Sequence, residues 1–556
     1  MSNKKLNRRQ FLAGSALAGL AAAGLTGCSS NSAPKDVPEG SEGTLTPSSD
    51  SNGAGRWSWD TPPAPIEEDA VTSTVEKDVI VVGAGLAGVA AACSAAENGL
   101  SVAVIEKMPE PSFRGGAFGS VNNRYWKEAG VEVDMEAIAR DWIAQSGSRC
   151  NEANVWNYLR RSAEGIEWFC DKLEANDFTI MLLACGYKGP TYPEYYGCLQ
   201  FKDAEGQFGA GPAAGILLAE SKDNGAEYFF ECRAEQLERE GSKITGVIAS
   251  TPEGYQRFVG TKGIVLATGD ISGDEEMCQA FAPVMLQCSA SQYTPVGANT
   301  GDGQKMALWA GAKVQDYAYS PMIHPQQYTA LSNGNFLHVN MRGQRYMNED
   351  TWCQGRSLNV LNQPESEGYC WAIFGGDRWL PDSIDTLEQG GGMFWDFHRH
   401  HYDDPPTGAE WWQGCIDSGK ENGMVIEASS IEELASLTNL PADTLQATID
   451  RYNELCAKGV DEDFGKRSIM LTPINGAPYY AAQFGPAAMV AIGGMEVNTR
   501  SQVWDTDDKL IENLYAIGNC AAGLYGTDYP LVVPGNSLGR CVTFGYLVGR
   551  ELAGIE

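Results

Sequence analysis

The chain has 556 residues, enough for two ordinary domains, and a hydrophobic content of 43% argues for a filled core rather than disorder. Its formal charge is −32, and −36 once the first 27 residues with Lys4, Lys5, Arg8 and Arg9 are set aside; such a surface repels nucleic acid and anionic lipid headgroups. Fifteen cysteines include no C-x-x-C pair, so a c-type haem, a ferredoxin module and a zinc ribbon are all unsupported and the chain carries no electron relay of its own. Apart from Cys28, the cysteines sit mostly in apolar contexts, where buried unpaired thiols are expected.

Residues Asn7 to Cys28 place Arg8-Arg9 before a mild Ala/Gly-rich run from Phe11 to Gly27, which is shorter than the roughly 20 residues a membrane span needs. The paired arginines followed by Phe11-Leu12 resemble a twin-arginine export signal, and Leu25-Thr26-Gly27-Cys28 resembles a lipobox whose cysteine becomes lipidated. Residues 1–27 are therefore expected to be a signal, with a lipid anchor at Cys28 on the outer face of the cell membrane. Residues 28–70 are rich in Ser, Pro, Gly and Asp without helical or strand period and are expected to be a flexible tether.

Val75 to Lys107 carries the strongest local signal. Val79-Ile80-Val81-Val82 reads as a buried strand, Gly83-x-Gly85-x-x-Gly88 as a tight turn, Leu86 to Glu97 as an Ala-rich helix, and Val102 to Ile105 as a second strand ending in Glu106. Glycines at these positions admit a pyrophosphate to the backbone at a helix N-terminus, and an acid about twenty residues on accepts ribose hydroxyls. The expected fold class is α/β, a Rossmann-like dinucleotide-binding domain. Pro111-x-x-x-Gly115-Gly116, the strand-like Gly263 to Gly269 and the closing Leu514 to Asn519 favour FAD over NAD.

At these motifs the sequence resembles the fumarate reductase and succinate dehydrogenase flavoprotein superfamily, which includes urocanate reductases, cardiac glycoside reductases and 3-ketosteroid dehydrogenases. Further matching stretches are GANTGDGQKMALWAGA (297–312), HVNMRGQRYMNED (338–350), RYNELCAKGVDEDFGK (451–466) and GPAAMVAIGGMEVN (485–498). The resemblance implies an FAD-binding domain over 71–322 and 479–556, with an inserted α+β capping domain over 323–478. It places Ala87, Glu106, Gly116, Ala234, Asp302, Asn519, Ser537 and Leu538 beside FAD; Lys107, Gly115, Ala117, Thr268, Gly269 and Gly518 complete the candidate set. No His stands in SFRGGAFGSVNN, where some members attach their flavin, so FAD is expected to be noncovalent. Loading a flavin before export also suits a twin-arginine route, which moves folded proteins.

Reducing an activated C=C bond requires a hydride to one carbon, a proton to its neighbour, and a group that steadies charge on the conjugated oxygen. Fumarate reductases use two His and two Arg around the carboxylates, with an Arg-Glu-Arg proton relay. By that resemblance His324 matches the first His, while Val490 stands at the second. Cys353 occupies the position of the donor Arg; Arg356, three residues on and nearly on the same helical face, is the candidate substitute. Thr329 and Ser332 align with the relay Glu and Arg, and Ser537 with the closing Arg, which makes fumarate an improbable substrate.

The segment YGTDYPLVVPGNSLGRCVTFGYLVGRELAG is instead similar to one in ketosteroid dehydrogenases, whose tyrosines polarise a ketone; Tyr529 is the positional match, and Tyr192, Tyr195 and Tyr196 are weaker ones. Arg540 has two open roles, steadying reduced flavin or binding a substrate carbonyl. FHRHH, with His398, His400 and His401, lacks carboxylates at helical spacing and reads as a cap loop rather than a metal site. The readings that remain are an exported FAD-dependent reductase of an unsaturated small molecule fed by a membrane cytochrome or flavin protein, a ketone dehydrogenase, and a flavin-binding sensor lipoprotein.

Overall fold

The computed structural model describes residues 57–184, 196–288, 290–291, 295–324, 331, 334–351, 353–388 and 409–555. The signal and Cys28, Tyr192, Tyr195, Thr329, Ser332, His398, His400 and His401 lie outside the described residues, as do the side chains of Tyr196 and Cys353. No described helix is long and apolar enough to cross a membrane.

The principal sheet is built on strand β1 (Val71–Val82), with helix α1 (Leu86–Glu97), strands β2 (Val102–Ile105), β3 (Glu227–Phe229), β4 (Gly254–Leu266) and β5 (Leu510–Ala516), and helix α2 (Asn536–Leu552). Its parallel core runs β3-β2-β1-β4-β5, with Val82 beside both Ile105 and Leu266, and Ala516 beside Leu266. Val79 and Val81 pack into one buried cluster and Ile80 and Val82 into another, which is why the strand is apolar without alternation. The chain leaves β1 to opposite sides, toward β2 and toward β4, so the glycine turn lies at a topological switch point.

Small residues let α1 and α2 lie close together. A Cβ on Gly545 would sit 2.7 Å from the Cβ of Ala90 and 2.8 Å from the Ala87 carbonyl oxygen, and one on Gly549 would sit 2.5 Å from the Cβ of Ser94. Ser94 Oγ donates to the Tyr546 carbonyl at 2.8 Å, so α1 needs no amphipathic pattern: every residue from Leu86 to Ala96 is buried.

The cap is a four-stranded antiparallel sheet in the order 337–339, 370–375, 479–484, 425–428. Along 370–375 the residues alternate between two cores, Cys370, Ala372 and Phe374 on one face, Trp371 and Ile373 on the other. Helices cover both faces, so the insertion is α+β as the resemblance implies.

Two expected boundaries are corrected. Tyr479–Phe484 is a central cap strand, so the return to the FAD-binding unit comes near Ala487 rather than at 479; only Gly485-Pro486 separates it from the next apolar strand, and composition shows no break. Residues 57–70, though mostly exposed, are pinned to the domain at a few points and are not a free flexible tether. Trp59, 5% exposed, stacks between Trp57 and Phe281, its carbonyl accepts from Trp309 Nε1 at 2.9 Å, and Gln236 holds Ala64 and Ile66. Two tryptophans gain enough buried surface to outweigh the disorder tendency of their Ser/Pro-rich surroundings.

All cysteines described as free are half-buried or buried, and burial pushes the thiols of Cys93, Cys232, Cys278, Cys288 and Cys370 up to about 12. They are inert core residues at neutral pH.

Candidate cofactor and active site

Each glycine of the first turn has its own physical reason. Gly83 has φ +104°, and a Cβ there would lie 2.5 Å from the Ala267 carbonyl oxygen; one on Gly88 would lie 1.9 Å from the Gly83 oxygen. Gly85 opens onto space, with nothing within 4 Å of its missing Cβ, and it caps α1 without a side chain to occupy the N–H groups of the first turn. That combination is a cradle for a pyrophosphate at a helix N-terminus.

Glu106 follows at the end of β2. Its carboxylate accepts from the backbone N–H of Ala84 at 2.8 Å and of Met108 at 2.9 Å, so it braces the turn and keeps further lone pairs for ribose hydroxyls. Lys107 Nζ lies 2.6 Å from Thr300 Oγ1 and 2.9 Å from Asp302 Oδ2, and Arg233 reaches the other Asp302 oxygen at 3.2 Å. Burial opposes charge on Asp302, but Lys107 and Arg233 outweigh it and hold the carboxyl below its ordinary value. The Cys232 N–H donates to the Glu106 carbonyl at 2.9 Å and draws Ala234 toward the same end of the sheet.

The remaining cofactor candidates join this surface through close contacts. Thr268 Oγ1 stands 2.1 Å from the missing Cβ of Gly303, Gly269 has φ +80°, and Gln304 donates to the Gly269 carbonyl at 3.1 Å. Gly518, with φ +67°, leaves only 2.9 Å between its missing Cβ and that of Ala87. The 115–119 loop lies on the start of α2: the missing Cβ of Gly115 is 3.1 Å from Leu538 Cδ1, that of Gly535 is 2.4 Å from the Ala117 oxygen, and the Gly119 N–H donates to Gly535 at 2.8 Å. Gly116 packs on Gly209 at 3.3 Å. These residues fit an extended dinucleotide: Glu106 would take the ribose, Gly85 and Ala87 the phosphate, and, as the family resemblance implies, 115–117 and 537–538 would lie at the ring end.

Beside that end stand three of the four catalytic candidates. Tyr529 is buried, its hydroxyl accepts from the Ser537 N–H at 3.2 Å, and its ring lies 6.5 Å from the His324 ring and 5.3 Å from that of Tyr525. His324 ends the strand Ser320–His324, and burial depresses its pKa to about 4, so the imidazole is neutral at pH 7. Met322, Val490, Ile492, Leu524 and Val532 cluster with Tyr529, so an apolar wall occupies the region where a second His was sought. Arg540 meets the same turn from α2, donating to the Gly518 carbonyl at 2.6 Å and to Asn519 Oδ1 at 3.1 Å, and Ser537 Oγ reaches that Asn519 oxygen at 3.3 Å.

Arg356 is placed differently. Its helix touches the His324 strand, where Gln354 Oε1 accepts from the Ile323 N–H at 3.1 Å, but its guanidinium is held inside the cap by the Gly334 carbonyl at 2.6 Å and lies 5.2 Å from the Phe484 ring centre.

Sequence reasoning missed the network behind it. Arg345 binds Glu349 at 2.9 and 2.8 Å and Asp461 at 2.9 and 2.8 Å; Lys466 Nζ lies 3.3 Å from Glu349 and donates to the Asn335 carbonyl at 2.5 Å, next to the Gly334 that holds Arg356. Glu349→Gln leaves two buried cations against one carboxylate, and a loss of about 3–5 kcal/mol is expected in urea unfolding of the holoprotein. An unchanged midpoint would contradict a neutralising role for Glu349.

Asp528 was also missed. Burial pushes its carboxyl up to about 7, only partly offset by the Tyr529 N–H it accepts at 2.8 Å. A raised folded pKa means that stability is full below the unfolded value near 3.9 and is lost as pH rises toward 7. Asp528→Asn is therefore expected to stabilise the protein at pH 8, on the order of 2 kcal/mol, and to have little effect at pH 4, read from urea midpoints at both pH values.

A parallel sheet with a glycine-lined switch point, a loop braced on a second helix and an apolar cluster around Tyr529 fit an FAD-dependent oxidoreductase acting on CH–CH groups, the class to which its relatives belong. The chain belongs to the family described as FAD binding domain, whose model matches residues 78–538. It is 28% identical over 500 residues to urocanate reductase of Eggerthella lenta, covering 86% of this chain and 74% of that one. It is 27% identical over 507 residues to vinyl phenol reductase of Lactiplantibacillus plantarum, covering 86% and 96%. Among solved structures, a 3-ketosteroid-Δ4-(5α)-dehydrogenase of Rhodococcus jostii shares the fold at a TM-score of 0.67 and 22% identity, over 88% of this chain and 99% of that one.

Proposed function

We propose that the chain is an exported, lipid-anchored reductase that saturates the C=C bond of an α,β-unsaturated carbonyl or carboxylate compound other than fumarate. The observation that carries this reading is the apolar wall around Tyr529, with Val490 and Ser537 at positions where a dicarboxylate clamp needs His and Arg. Relatives named for reduction of urocanate and of vinyl phenol support it. FAD, when bound and reduced by its external donor, would supply two electrons as a hydride to one alkene carbon. Tyr529 supplies the proton to the neighbouring carbon. Neutral His324 donates a hydrogen bond to the conjugated oxygen, and the apolar wall excludes water. Arg8-Arg9 and Cys28 support export and anchoring, and the lack of any C-x-x-C pair calls for an external donor, a membrane cytochrome or flavin protein.

The test is an anaerobic panel of enones, acrylates, styrenes and steroids added to dithionite-reduced holoprotein. Reoxidation by an unsaturated compound is expected. Bleaching of the oxidised protein by a saturated ketone would establish the dehydrogenase reading that the Tyr529 segment suggests. Tight binding with no redox change would establish a sensor.

A further inference from the structure

We propose that Arg540 is the counter-charge of the reduced cofactor, a cation that favours the flavin as its anion, and not a substrate clamp. The inference rests on reading the 537–538 turn as the flavin-ring end of the site. Family resemblance expects an Arg at Ser537; this chain carries its Arg three residues later, one turn along the same helical face. At 540 the cation is buried against the 518–521 backbone.

The Arg540 side chain is 2% exposed and all its partners are neutral. It donates to the carbonyls of Gly518 at 2.6 Å and Ala521 at 3.4 Å and to Asn519 Oδ1 at 3.1 Å, and it lies 4.6 Å from the Tyr525 ring centre. Among the described residues no carboxylate pairs with it, and its Nε is buried without a hydrogen-bond partner. A guanidinium stays charged at any pH a folded protein meets. Carbonyl dipoles lower the cost of burying it but leave a full positive charge beneath Gly518, Asn519 and Ser537. The α2 N-terminus adds to that field, because its N-cap Gly535 has no side chain to cap it.

Oxidised isoalloxazine is neutral, and taking up two electrons and one proton makes it a monoanion. A fixed positive field favours that product over the doubly protonated neutral form, and favours reduction itself. Because both Nη groups of Arg540 are committed to the 518–521 backbone, the residue tunes the cofactor without reaching the substrate.

The midpoint potential of the wild-type holoprotein, titrated with dithionite between pH 5.5 and 8, is expected to fall by about 30 mV per pH unit, the tenfold conversion for two electrons and one proton. Twice that slope means two protons and overturns the proposal. Sulfite, which adds to oxidised flavin and leaves negative charge on the ring, is expected to bind at least tenfold more weakly to Arg540→Gln and within threefold of wild type to Arg540→Lys. Equal sulfite affinity in wild type and a fully flavinylated Arg540→Gln also overturns it; where that variant holds no FAD, the wild-type slope decides. Neither measurement uses a substrate, so an empty substrate panel with a one-proton slope sinks the proposed reaction and leaves this inference standing.

Discussion

Gly85→Val is expected to give folded, colourless protein. Gly85 has φ −72° and ψ 179°, an extended conformation open to any residue, and nothing lies within 4 Å of its missing Cβ. The fold therefore accepts valine, and the stability of the apoprotein should stay within about 0.5 kcal/mol of wild-type apoprotein in urea. The space is the cofactor's, however. A branched side chain there keeps a pyrophosphate from the N–H groups at the start of α1, so FAD affinity is expected to fall at least 100-fold, read as visible flavin absorbance per protein after desalting. Gly83→Ala and Gly88→Ala make the contrast. Their added carbons meet backbone oxygens at 2.5 and 1.9 Å, so both should lose stability even without cofactor. A yellow Gly85→Val protein with wild-type FAD content would refute the phosphate assignment.

What the sequence disclosed follows from how local each feature is. Val79–Val82 and the three glycines lie within ten residues, and one strand, one turn and one helix start explain all of them, so β1, α1 and the phosphate cradle were legible. Partnerships across the chain were not. Trp59 is held by Trp309 at a separation of 250 residues, inside a segment whose average composition signals a tether. Arg345 finds Asp461 116 residues away, and the stretches containing them matched the family without saying which charges meet. Glu106 shows a subtler limit. Its position predicts a ribose ligand, and the structure adds that the same carboxylate first fixes the turn. Arg356 was judged by its helical face alone; the cap interior offered the Gly334 carbonyl and the Phe484 ring, and the guanidinium took them.

These placements leave Tyr529 as the proton donor best supported. Tyr529→Phe removes one hydroxyl and keeps the ring packed against Tyr525 and His324. Turnover of the best substrate from the panel is expected to fall about 100-fold or more, within the range for loss of a general acid, with FAD content unchanged. The Ser537 N–H that the hydroxyl accepts at 3.2 Å steadies negative charge on the oxygen as its proton leaves. His324 is poorly suited to that task, since with a pKa near 4 almost none of it carries the second proton at pH 7. Its depressed value means that stability is full above the unfolded pKa near 6.5 and is lost progressively as pH falls from there to about 4. The folded imidazole itself titrates below the assayed range, so His324→Gln should leave the shape of the rate profile between pH 5.5 and 8 unchanged while lowering its height. Rapid-mixing reoxidation of the dithionite-reduced protein separates the two residues: Tyr529→Phe should slow the substrate-dependent step with a diminished solvent isotope effect, because water then replaces a positioned donor. Full turnover in Tyr529→Phe would place the donor elsewhere, and Arg356, three residues from Cys353, would be the next side chain to remove.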